Sequence, residues 1–564
     1  MLNWLRPHAP RLILVALLSL FSSLLALSLP YLSKRLVDDA LLARNGRVLV
    51  ALVVLFLVIM LVSFALNVLA GLRYTRVSAD ILFDMRLALY RHLQQLSPRF
   101  YARTPLGQIV SRINGDIGEV QRVAADSLLA WTGSGLTLAG SVVMLAVLDA
   151  RLFLVSLAAV PLALWALVRY RRRLEGAVRE ARERSAELGS FLIETLQALR
   201  LVVTSNAAER EAAGFRSRND AYVDAVMRMR RITYLAGGLP GLLFGLGTGA
   251  VFLYGGMRVI GGTLTLGTFV AFTAYQMRLL APVQAMMGLY ANLASARVSL
   301  RRVLEILDLP IEVKESPDAV ALTGARGRVS FEQVRFTFDR GGPVLDDVSF
   351  EVEPGERVAL MGESGVGKST IGDLLVRLLD PAEGRIRLDG HDLRELRLAD
   401  VRRHLVRVDQ DPPILNATMA ENVRYTRPEA SETEVGDAVR AAGLTPLIAR
   451  LPQGLDTPVG ERGKALSAGE RQRIAIARAL LANPTVLILD EATAALDPEV
   501  EAQVLEGYET AMQGRTTIVI THRRELASRV NRVILLERGR VVRQGPPEAV
   551  LAETGPLQSA LASG

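Results

Sequence analysis

Long apolar stretches fill the first half of this chain and are lacking from its second half. Each is about 20 residues long, which is the length that an α-helix needs to cross the hydrocarbon core of a bilayer. The six stretches lie near residues 12–32, 48–72, 127–148, 152–170, 233–257 and 267–292. This distribution predicts a first half that lies in a membrane and a second half that lies in water.

The connectors between these stretches predict the topology. Those that follow the second and fourth stretches are polar, arginine-rich and roughly 50 to 60 residues long, whereas the others are short. Because cytoplasmic connectors carry an excess of Lys and Arg, we expect the long connectors and both termini in the cytoplasm. Helical periodicity continues through residues 169–197, so we expect helices that extend well beyond the bilayer. The first stretch lacks a small-residue cleavage site and is interpreted as a retained helix.

The charge balance is basic, with 66 Lys and Arg residues against 58 Asp and Glu residues. A basic chain can bind nucleic acid, but these arginines flank apolar stretches and few aromatic residues lie among them. We therefore expect a lipid bilayer as the partner and no nucleic acid. The chain has no cysteine, which excludes disulfides, thiolate metal sites and a cysteine nucleophile.

A change in composition divides the chain. Residues 305–327 lose the apolar density and gain Pro, Gly and charge, as is typical of a linker. Beyond them, short β-branched runs such as "RVALMG", "TVLILD" and "TTIVIT" alternate with helical patterns. That alternation predicts an α/β domain with a largely parallel sheet. The predicted organisation is a transmembrane domain over 1–304, a linker over 305–327 and an α/β domain over 328–564.

A phosphate-binding loop follows the first of these runs. The strand "RVALM" leads into "GESGVGKST", which fits the pattern G-x-x-x-x-G-K-[ST] between a strand and a helix. Backbone N–H groups in such a loop point at phosphate oxygens, Lys368 supplies a positive charge, and the Ser369 hydroxyl can bind magnesium. The chain has only four lysines, yet one stands at this position. The predicted ATP-binding residues of the loop are Gly362, Glu363, Ser364, Gly365, Val366, Gly367, Lys368, Ser369 and Thr370.

Two acidic residues end a later apolar run. The strand "TVLILD" ends in Asp490 and is followed at once by Glu491. An acid at the end of such a strand can hold the water shell of magnesium, and the next acid can polarise an attacking water. After a phosphate loop, this pair predicts a nucleotide hydrolase.

The segment "LSAGERQR" makes the comparison with a family specific. Residues 328–564 resemble the nucleotide-binding domain of an ATP-binding-cassette (ABC) transporter, and this segment stands where that family carries its signature, usually LSGGQ. The resemblance implies that two such domains act head to tail, with the signature of one capping the γ-phosphate held by the other. Backbone donors at a helix N-terminus suit that role. The signature residues are Leu466, Ser467, Ala468, Gly469 and Glu470.

The resemblance implies roles for five further residues. Phe338, in "VRFTF", matches the aromatic residue that stacks on adenine, where tyrosine is commoner. Gln410, in "VDQDP", matches the glutamine that contacts magnesium and faces the membrane domain. Glu491 matches the catalytic base, and His522, in "VITH", matches the histidine that contacts the γ-phosphate. Asp497, in "AALD", matches the loop that links the two nucleotide-binding domains.

The first half also resembles this family. Residues 100–117 and 194–211 look like the two cytoplasmic coupling regions of the exporter-type membrane domain, and residues 262–275 look like the start of its sixth span. The resemblance covers nearly the whole chain. It implies a helical membrane domain with six spans, joined to an α/β P-loop nucleotide-binding domain.

The signature departs from the family pattern at two positions. Ala468 replaces the usual glycine and Glu470 the usual glutamine. These changes are either neutral drift or a sign of a heterodimer with unequal ATP sites, in which this chain keeps the intact Glu491 and His522. A homodimer is the preferred expectation, and a heterodimer with a second half-transporter is the alternative.

The resemblance implies an ATP-driven exporter with ATP and Mg²⁺ as cofactors. It would lie in the bacterial cytoplasmic membrane and move an amphipathic substrate such as a lipid, a drug or a small peptide. The alternatives are a siderophore importer with an exporter fold, a soluble ATPase acting on nucleic acid or ribosomes, and an ATP-gated channel. Arg278 falls in the sixth span, where a charge faces a partner or an aqueous cavity. It is either a contact for the substrate or a structural residue.

Overall fold

The computed structural model describes residues 4, 6–129, 133–158, 160–338, 342–460, 466–490 and 498–552. The chain forms two compact units. The first contains Met1–Leu93 and Leu106–Asp308, and the second contains Gln94–Pro105 and the chain from Leu309 onward. The segment Gln94–Pro105, which joins two helices of the first unit, therefore packs with the second unit.

Helices make up the described part of the first 308 residues. In chain order they are α1 (Ala9–Arg35), α2 (Gly46–Leu93), α3 (Pro98–Arg103), α4 (Leu106–Ser111), α5 (Ile117–Leu129), α6 (Gly135–Leu148), α7 (Ala150–Ala158), α8 (Val160–Gln197), α9 (Leu199–Thr204), α10 (Ala208–Ile260), α11 (Leu266–Met277) and α12 (Leu280–Leu307). The helix α3 lies in the second unit and the others lie in the first. One π-helical segment, Leu36–Leu42, continues α1, and another, Arg112–Asp116, continues α4.

Within the described residues, three helical segments are each long and apolar enough to cross a membrane: Arg6–Leu42, Gly46–Leu93 and Ala208–Ile260. They contain the first, second and fifth predicted spans. The helix α6 is a shorter apolar helix within the third predicted span. The fourth predicted span is divided between α7 and α8, and the sixth between α11 and α12.

The expectation of helices that extend beyond the bilayer is confirmed for α2 and α10. They contain 48 and 53 residues. At 1.5 Å per residue, 53 residues extend for roughly 80 Å, whereas the hydrocarbon core is about 30 Å thick. The polar residues of the long connectors therefore continue helices that begin or end in the apolar stretches.

Two sheets form the framework of the second unit. The strands are β1 (Val329–Thr337), β2 (Pro343–Val352), β3 (Arg357–Gly362), β4 (Glu383–Leu388), β5 (His391–Asp392), β6 (Leu405–Val408), β7 (Val486–Asp490), β8 (Thr516–Ile520), β9 (Arg532–Glu537) and β10 (Arg540–Gly545). An antiparallel sheet has the order β2-β1-β4-β5, and a second sheet has the order β10-β9-β3-β8-β7-β6. In the second sheet only β10 runs antiparallel to its neighbour. The predicted, largely parallel sheet is confirmed.

The central strands of the parallel sheet are buried on both faces. All residues of β7 and β8 are buried, as expected for the continuous apolar runs of a parallel sheet. Successive residues of β3 enter different cores: Val358 and Leu360 pack on one side of the sheet, and Ala359 and Met361 on the other. This double burial holds the ends of the strands rigidly in place.

Nine helices complete the described part of the second unit. After α3, they are α13 (Lys368–Leu375), α14 (Leu398–His404), α15 (Met419–Arg424), α16 (Glu432–Ala441), α17 (Thr445–Arg450), α18 (Ala468–Ala482), α19 (Pro498–Met512), α20 (Arg524–Ala527) and α21 (Pro547–Ala552). The combination of helices with a doubly covered sheet confirms the predicted α/β class of this half of the chain.

Candidate nucleotide-binding site

The predicted phosphate loop connects β3 to α13. Its glycines adopt the conformations that the loop needs, with φ of 81° at Gly365 and 106° at Gly367, values that favour glycine. A Cβ at Gly367 would also lie 2.6 Å from a methyl group of Leu345. The loop therefore wraps closely and leads directly into the N-terminus of α13, where backbone N–H groups and the helix dipole favour an anion.

Lys368 turns back onto this loop. Its ammonium donates hydrogen bonds to the carbonyls of Gly362 and Glu363, at 2.9 and 2.8 Å. The side chain is buried, whereas Glu363, Ser364, Gly365 and Ser369 are exposed. The exposed backbone and hydroxyl groups of the loop are thus accessible to a phosphate, with the lysine charge directly beneath them.

The carboxyl ends of three adjacent strands bring the other predicted residues to the same edge. Leu360 of β3, Ile520 of β8 and Asp490 of β7 lie opposite one another in the strand registers. The phosphate loop begins two residues after Leu360, and His522 stands two residues after Ile520. Asp490 therefore ends β7 and His522 follows the neighbouring β8, both at the edge where the loop begins. Ligands bind at this edge in sheets of this kind.

Gln410 lies past the end of the next strand. Val408 at the end of β6 pairs with Leu489 of β7, and Gln410 follows two residues later with an exposed side chain. Oxygen ligands of the kind supplied by Ser369, Gln410 and Asp490 suit Mg²⁺. The described residues contain no group of three or more His, Cys, Asp or Glu side chains that could hold a metal ion.

Asp490 is also paired with an arginine that the sequence did not single out. Its carboxylate accepts a hydrogen bond of 2.6 Å from Arg407, and its side chain is 6% exposed. Arg407 belongs to β6 and precedes Gln410 by three residues. Arg407 lies in a short strand of ordinary composition, so the sequence did not indicate its pairing with Asp490.

The signature segment caps α18. The Ser467 hydroxyl accepts a hydrogen bond from the Glu470 N–H, and the Glu470 carboxylate accepts one from the Ser467 N–H. This reciprocal pair is a capping box. Leu466 and Gly469 are buried, while Ser467 and Ala468 are exposed at the helix N-terminus. The helix therefore presents a backbone and a hydroxyl group to solvent at its positive end.

The charge of Glu470 is balanced within the same unit. Its carboxylate accepts a hydrogen bond of 2.6 Å from Arg450 at the end of α17. Burial would raise the pKa of Glu470, but the hydrogen bonds from Ser467 and Arg450 outweigh it and hold the pKa below its usual value. The glutamate that replaces the usual glutamine is thus a capping residue turned back toward its own helix.

The predicted adenine-stacking residue contacts the segment that joins α2 to α4. The Phe338 ring packs edge-to-face on Phe336, with centroids 5.1 Å apart. The Arg99 guanidinium carbon lies 4.7 Å from the Phe336 centroid and 5.0 Å from that of Phe338. Arg99 also lies 3.8 Å from the Glu312 carboxylate. Arg99 was missed in the sequence because nothing in its local pattern indicates a partner more than 200 residues away.

Two predicted site residues, Glu491 and Asp497, lie outside the described residues. Arg278 lies in the first unit, at the end of α11, where its guanidinium donates a hydrogen bond of 2.6 Å to a backbone carbonyl of α1. This contact is one that a structural residue makes, and it leaves the proposed contact with a substrate untested.

Family models match both halves of the chain. Residues 12–283 match the model of the ABC transporter transmembrane region, and residues 345–494 match the model of the ABC transporter nucleotide-binding region, described as "ABC transporter". The first match contains the apolar helices, and the second contains the phosphate loop, the signature and Asp490.

Curated relatives match over almost the full length. An ATP-dependent lipid A-core flippase of Syntrophus aciditrophicus is 32% identical over 98% of this chain and 92% of its own length. A putative multidrug export ATP-binding/permease protein of Bacillus subtilis, YgaD, is 31% identical over 98% of this chain and 96% of its own length.

A solved structure shows the same fold. A bacterial Atm1-family ABC exporter with ATP bound superposes with a TM-score of 0.78 at 30% identity, over 99% of this chain and 98% of that chain. The predicted exporter-type fold is confirmed, as are an integral membrane protein and an ATP-binding domain of the kind that hydrolyses ATP. The chain belongs to the ABC transporter family, as an exporter half-transporter with its membrane and nucleotide-binding domains fused in one polypeptide.

Proposed function

We propose that this half-transporter works as a dimer that exports an amphipathic substrate, with two ATP molecules bound and hydrolysed between its paired nucleotide-binding domains. One observation carries the proposal: the phosphate loop, Asp490 and His522 share one sheet edge, while Ser467 and Ala468 remain exposed at a separate helix N-terminus. An exposed anion-binding helix end in a chain that already has a phosphate loop supports completion of the site by a second chain.

The roles of the residues follow from their positions. The loop backbone and Lys368 bind the β- and γ-phosphates, and Ser467 of a partner copy caps the γ-phosphate from the other side. Phe338 stacks on the adenine. Glu491 polarises the attacking water, and His522 donates a hydrogen bond to the γ-phosphate oxygens. Asp497 lies at the interface of the two domains.

Magnesium is the second proposed cofactor. The Ser369 hydroxyl and the Gln410 side chain are the proposed direct ligands, and Asp490 is proposed to hold the water shell. When bound, the ion neutralises the charge that develops on the phosphate oxygens during phosphoryl transfer. The chain's own contribution is to hold these oxygen atoms at one edge of a rigid sheet.

The substrate class and the location are inferred from the relatives and the charge pattern. One relative is named for lipid A-core flipping and another for multidrug export, so these names point to lipids and drugs as cargo classes. We propose the same broad class here, and a homodimer in preference to a heterodimer. The arginine-rich connectors favour the bacterial cytoplasmic membrane, with the nucleotide-binding domain in the cytoplasm.

Hydrolysis in proteoliposomes tests the catalytic part of the proposal. We expect the purified chain alone to hydrolyse ATP with Mg²⁺, and Glu491→Gln to reduce turnover at least a hundredfold, as loss of a general base does. The exposed Glu395 provides a matched control, because Glu395→Gln removes an acid outside the site. Wild-type turnover in Glu491→Gln contradicts the assigned base, and turnover only after addition of a second half-transporter favours the heterodimer.

The lack of cysteine makes the dimer directly testable. In the Glu491→Gln background, which is expected to trap ATP, we introduce Asp497→Cys and oxidise the protein with and without ATP. The proposal predicts a disulfide-linked dimer that forms faster with ATP, and no such product from the control Glu395→Cys. Equal cross-linking with and without ATP contradicts an interface that closes on the nucleotide. Accumulation of labelled lipid or drug in inside-out vesicles then distinguishes export from import.

A further inference from the structure

One arginine in the nucleotide-binding unit is surrounded by three carboxylates. Arg407 Nη1 lies 2.5 Å from Asp373, Nη2 lies 2.6 Å from Asp490, and Nε lies 2.9 Å from Asp409. The arginine side chain is 15% exposed and that of Asp490 is 6% exposed. The two terminal nitrogens of the guanidinium donate hydrogen bonds to Asp373 and Asp490. The Nε lies within ion-pair distance of Asp409, whose side chain is half exposed.

The three acids come from the elements that build the phosphate site. Asp373 lies on α13, the helix that follows the phosphate loop. Asp490 ends β7, and Asp409 lies between β6 and Gln410. One side chain thus connects the helix of the phosphate loop, the strand that carries the predicted magnesium residue and the segment that leads to the predicted glutamine ligand.

The physical requirement for this arginine is strong. Of the three acids only Asp490 is almost fully buried, and a buried carboxylate is costly unless it is paired and hydrogen-bonded. A planar guanidinium satisfies several acids in fixed directions, whereas an ammonium supplies only a compact charge. Without the guanidinium, the Asp490 side chain loses its 2.6 Å ion pair at the end of β7.

We infer that Arg407 is a positioning residue for the magnesium–nucleotide complex. Its hydrogen bonds to Asp490 and Asp373 hold the Asp490 carboxylate in the orientation that the magnesium shell requires. The inference rests on the proposed function, in which Asp490 serves that shell. Arg407 contacts neither nucleotide nor metal in this role. Because Asp490 serves the water shell, Arg407 lies one shell further out than the partners of direct metal ligands. We therefore expect an effect at the lower end of the range of about 10- to 100-fold in metal affinity that removal of such partners costs.

The test measures magnesium dependence separately from folding. Binding of a fluorescent ribose-labelled ATP analogue to the full chain in detergent is titrated in EDTA and across a Mg²⁺ series. For Arg407→Gln we expect the half-saturating Mg²⁺ concentration to rise about tenfold, with affinity in EDTA changed less than about twofold. Arg407→Lys keeps the charge but loses the fork, so we expect an intermediate rise of roughly threefold.

A second arginine, partly buried in an ion pair, supplies the structural control. Arg532 forms a pair with Glu356, at 2.8 and 3.0 Å, at the opposite end of the sheet. Arg532→Gln should lower the melting temperature because a partly buried ion pair is lost, yet leave the half-saturating Mg²⁺ concentration unchanged. If Arg407→Gln folds and its half-saturating Mg²⁺ concentration equals that of wild type, the inference is overturned. If Arg407→Gln does not fold, the same result for Arg407→Lys overturns it. A wild-type protein whose nucleotide binding and hydrolysis ignore Mg²⁺ overturns the proposed metal site itself.

Discussion

The guanidinium of Arg278 donates its hydrogen bond to the backbone carbonyl of Ala26, the carbonyl that Pro30 leaves without a partner in α1. Proline has no N–H, so residue i−4 loses its helical hydrogen bond. The hydroxyl of Tyr275 donates to the next carbonyl, that of Leu27, at 2.7 Å. The end of α11 thus supplies hydrogen-bond donors to the α1 carbonyls one turn before the proline. Backbone carbonyls inside a bilayer need such partners.

A double-mutant cycle tests this structural role for Arg278. Arg278→Ala leaves the Ala26 carbonyl unsatisfied, and we expect it to cost about 1–3 kcal/mol of stability. In a Pro30→Ala background the helix supplies its own N–H, so the same substitution should cost clearly less. Thermal unfolding of the four proteins in detergent measures the difference.

If Arg278→Ala lowers stability equally with and without Pro30, Arg278 does not compensate for the hydrogen bond that Pro30 removes. The cycle also separates the two interpretations of this arginine. If Arg278→Ala is as stable as wild type but loses stimulation of ATPase activity by lipids or drugs, then contact with the substrate becomes the better explanation.

The start of α11 depends on a glycine. The Gly267 N–H donates to Asp38 Oδ1 at 2.8 Å, and Thr265 caps the helix while donating to the same carboxylate. A Cβ at Gly267 would lie 2.6 Å from that oxygen and closer still to the Lys34 carbonyl. We expect Gly267→Ala to destabilise the chain by about 1–3 kcal/mol, because backbone has to move.

A glycine in α10 is the matched control for this substitution. A Cβ at Gly256 meets nothing within 4 Å, so Gly256→Ala should be neutral or stabilise the helix by up to about 1 kcal/mol. Thermal unfolding in one detergent compares both variants with wild type. If Gly256→Ala lowers the stability as much as Gly267→Ala does, then steric crowding at position 267 is not the cause of the destabilisation.

The sequence predicted the structural features that are determined by residues close together in the chain. The phosphate loop, the buried strand that ends in Asp490 and the helix that begins after Ser467 each rest on a short run of residues, and all were predicted. The contacts of Arg99, Arg407 and Arg450 could not be predicted, because each joins elements whose approach is fixed by the tertiary fold. With 66 basic residues in the chain, no single arginine stands out by composition.

Arg99 offers a test of how the adenine-stacking residue is held. Its guanidinium lies over both Phe336 and Phe338, and a cation–π contact contributes about 0.5–1 kcal/mol. If this contact orients Phe338 for adenine, Arg99→Ala should weaken ATP binding roughly two- to fivefold. Phe338→Ala removes the stacking surface itself and should weaken binding more, by about 1–3 kcal/mol.

Inorganic triphosphate is the control ligand for Arg99, because it has the phosphates of ATP and no base. Competition titrations against a labelled nucleotide should give the same triphosphate affinity for wild type and Arg99→Ala. An equal loss of ATP and triphosphate affinity would place the effect of Arg99 on the phosphate loop and contradict a role at the adenine.

The capping box at the signature predicts a specific dependence on pH. Because the pKa of Glu470 in the folded chain lies below its usual value, its interactions stabilise the fold above the unfolded pKa of about 4.3 and are lost as the pH falls through the folded value. Glu470→Gln retains the shape of the cap but not its charge. We expect it to be less stable by about 0.5–1 kcal/mol at pH 7. This difference should shrink as the pH falls below the unfolded pKa and through the lower folded pKa of Glu470.

Arg450→Ala separates the two partners of this glutamate. It removes the ion pair but leaves the Ser467 hydrogen bonds, so its loss of stability at pH 7 should be smaller than that of Glu470→Gln and should also fade in acid. Melting temperatures across pH 3 to 7 measure both variants. A constant difference between Glu470→Gln and wild type over this range would show that the carboxylate's charge does not stabilise the cap. The exposed Ser467 and Ala468 would then owe their position to the helix backbone and not to Glu470.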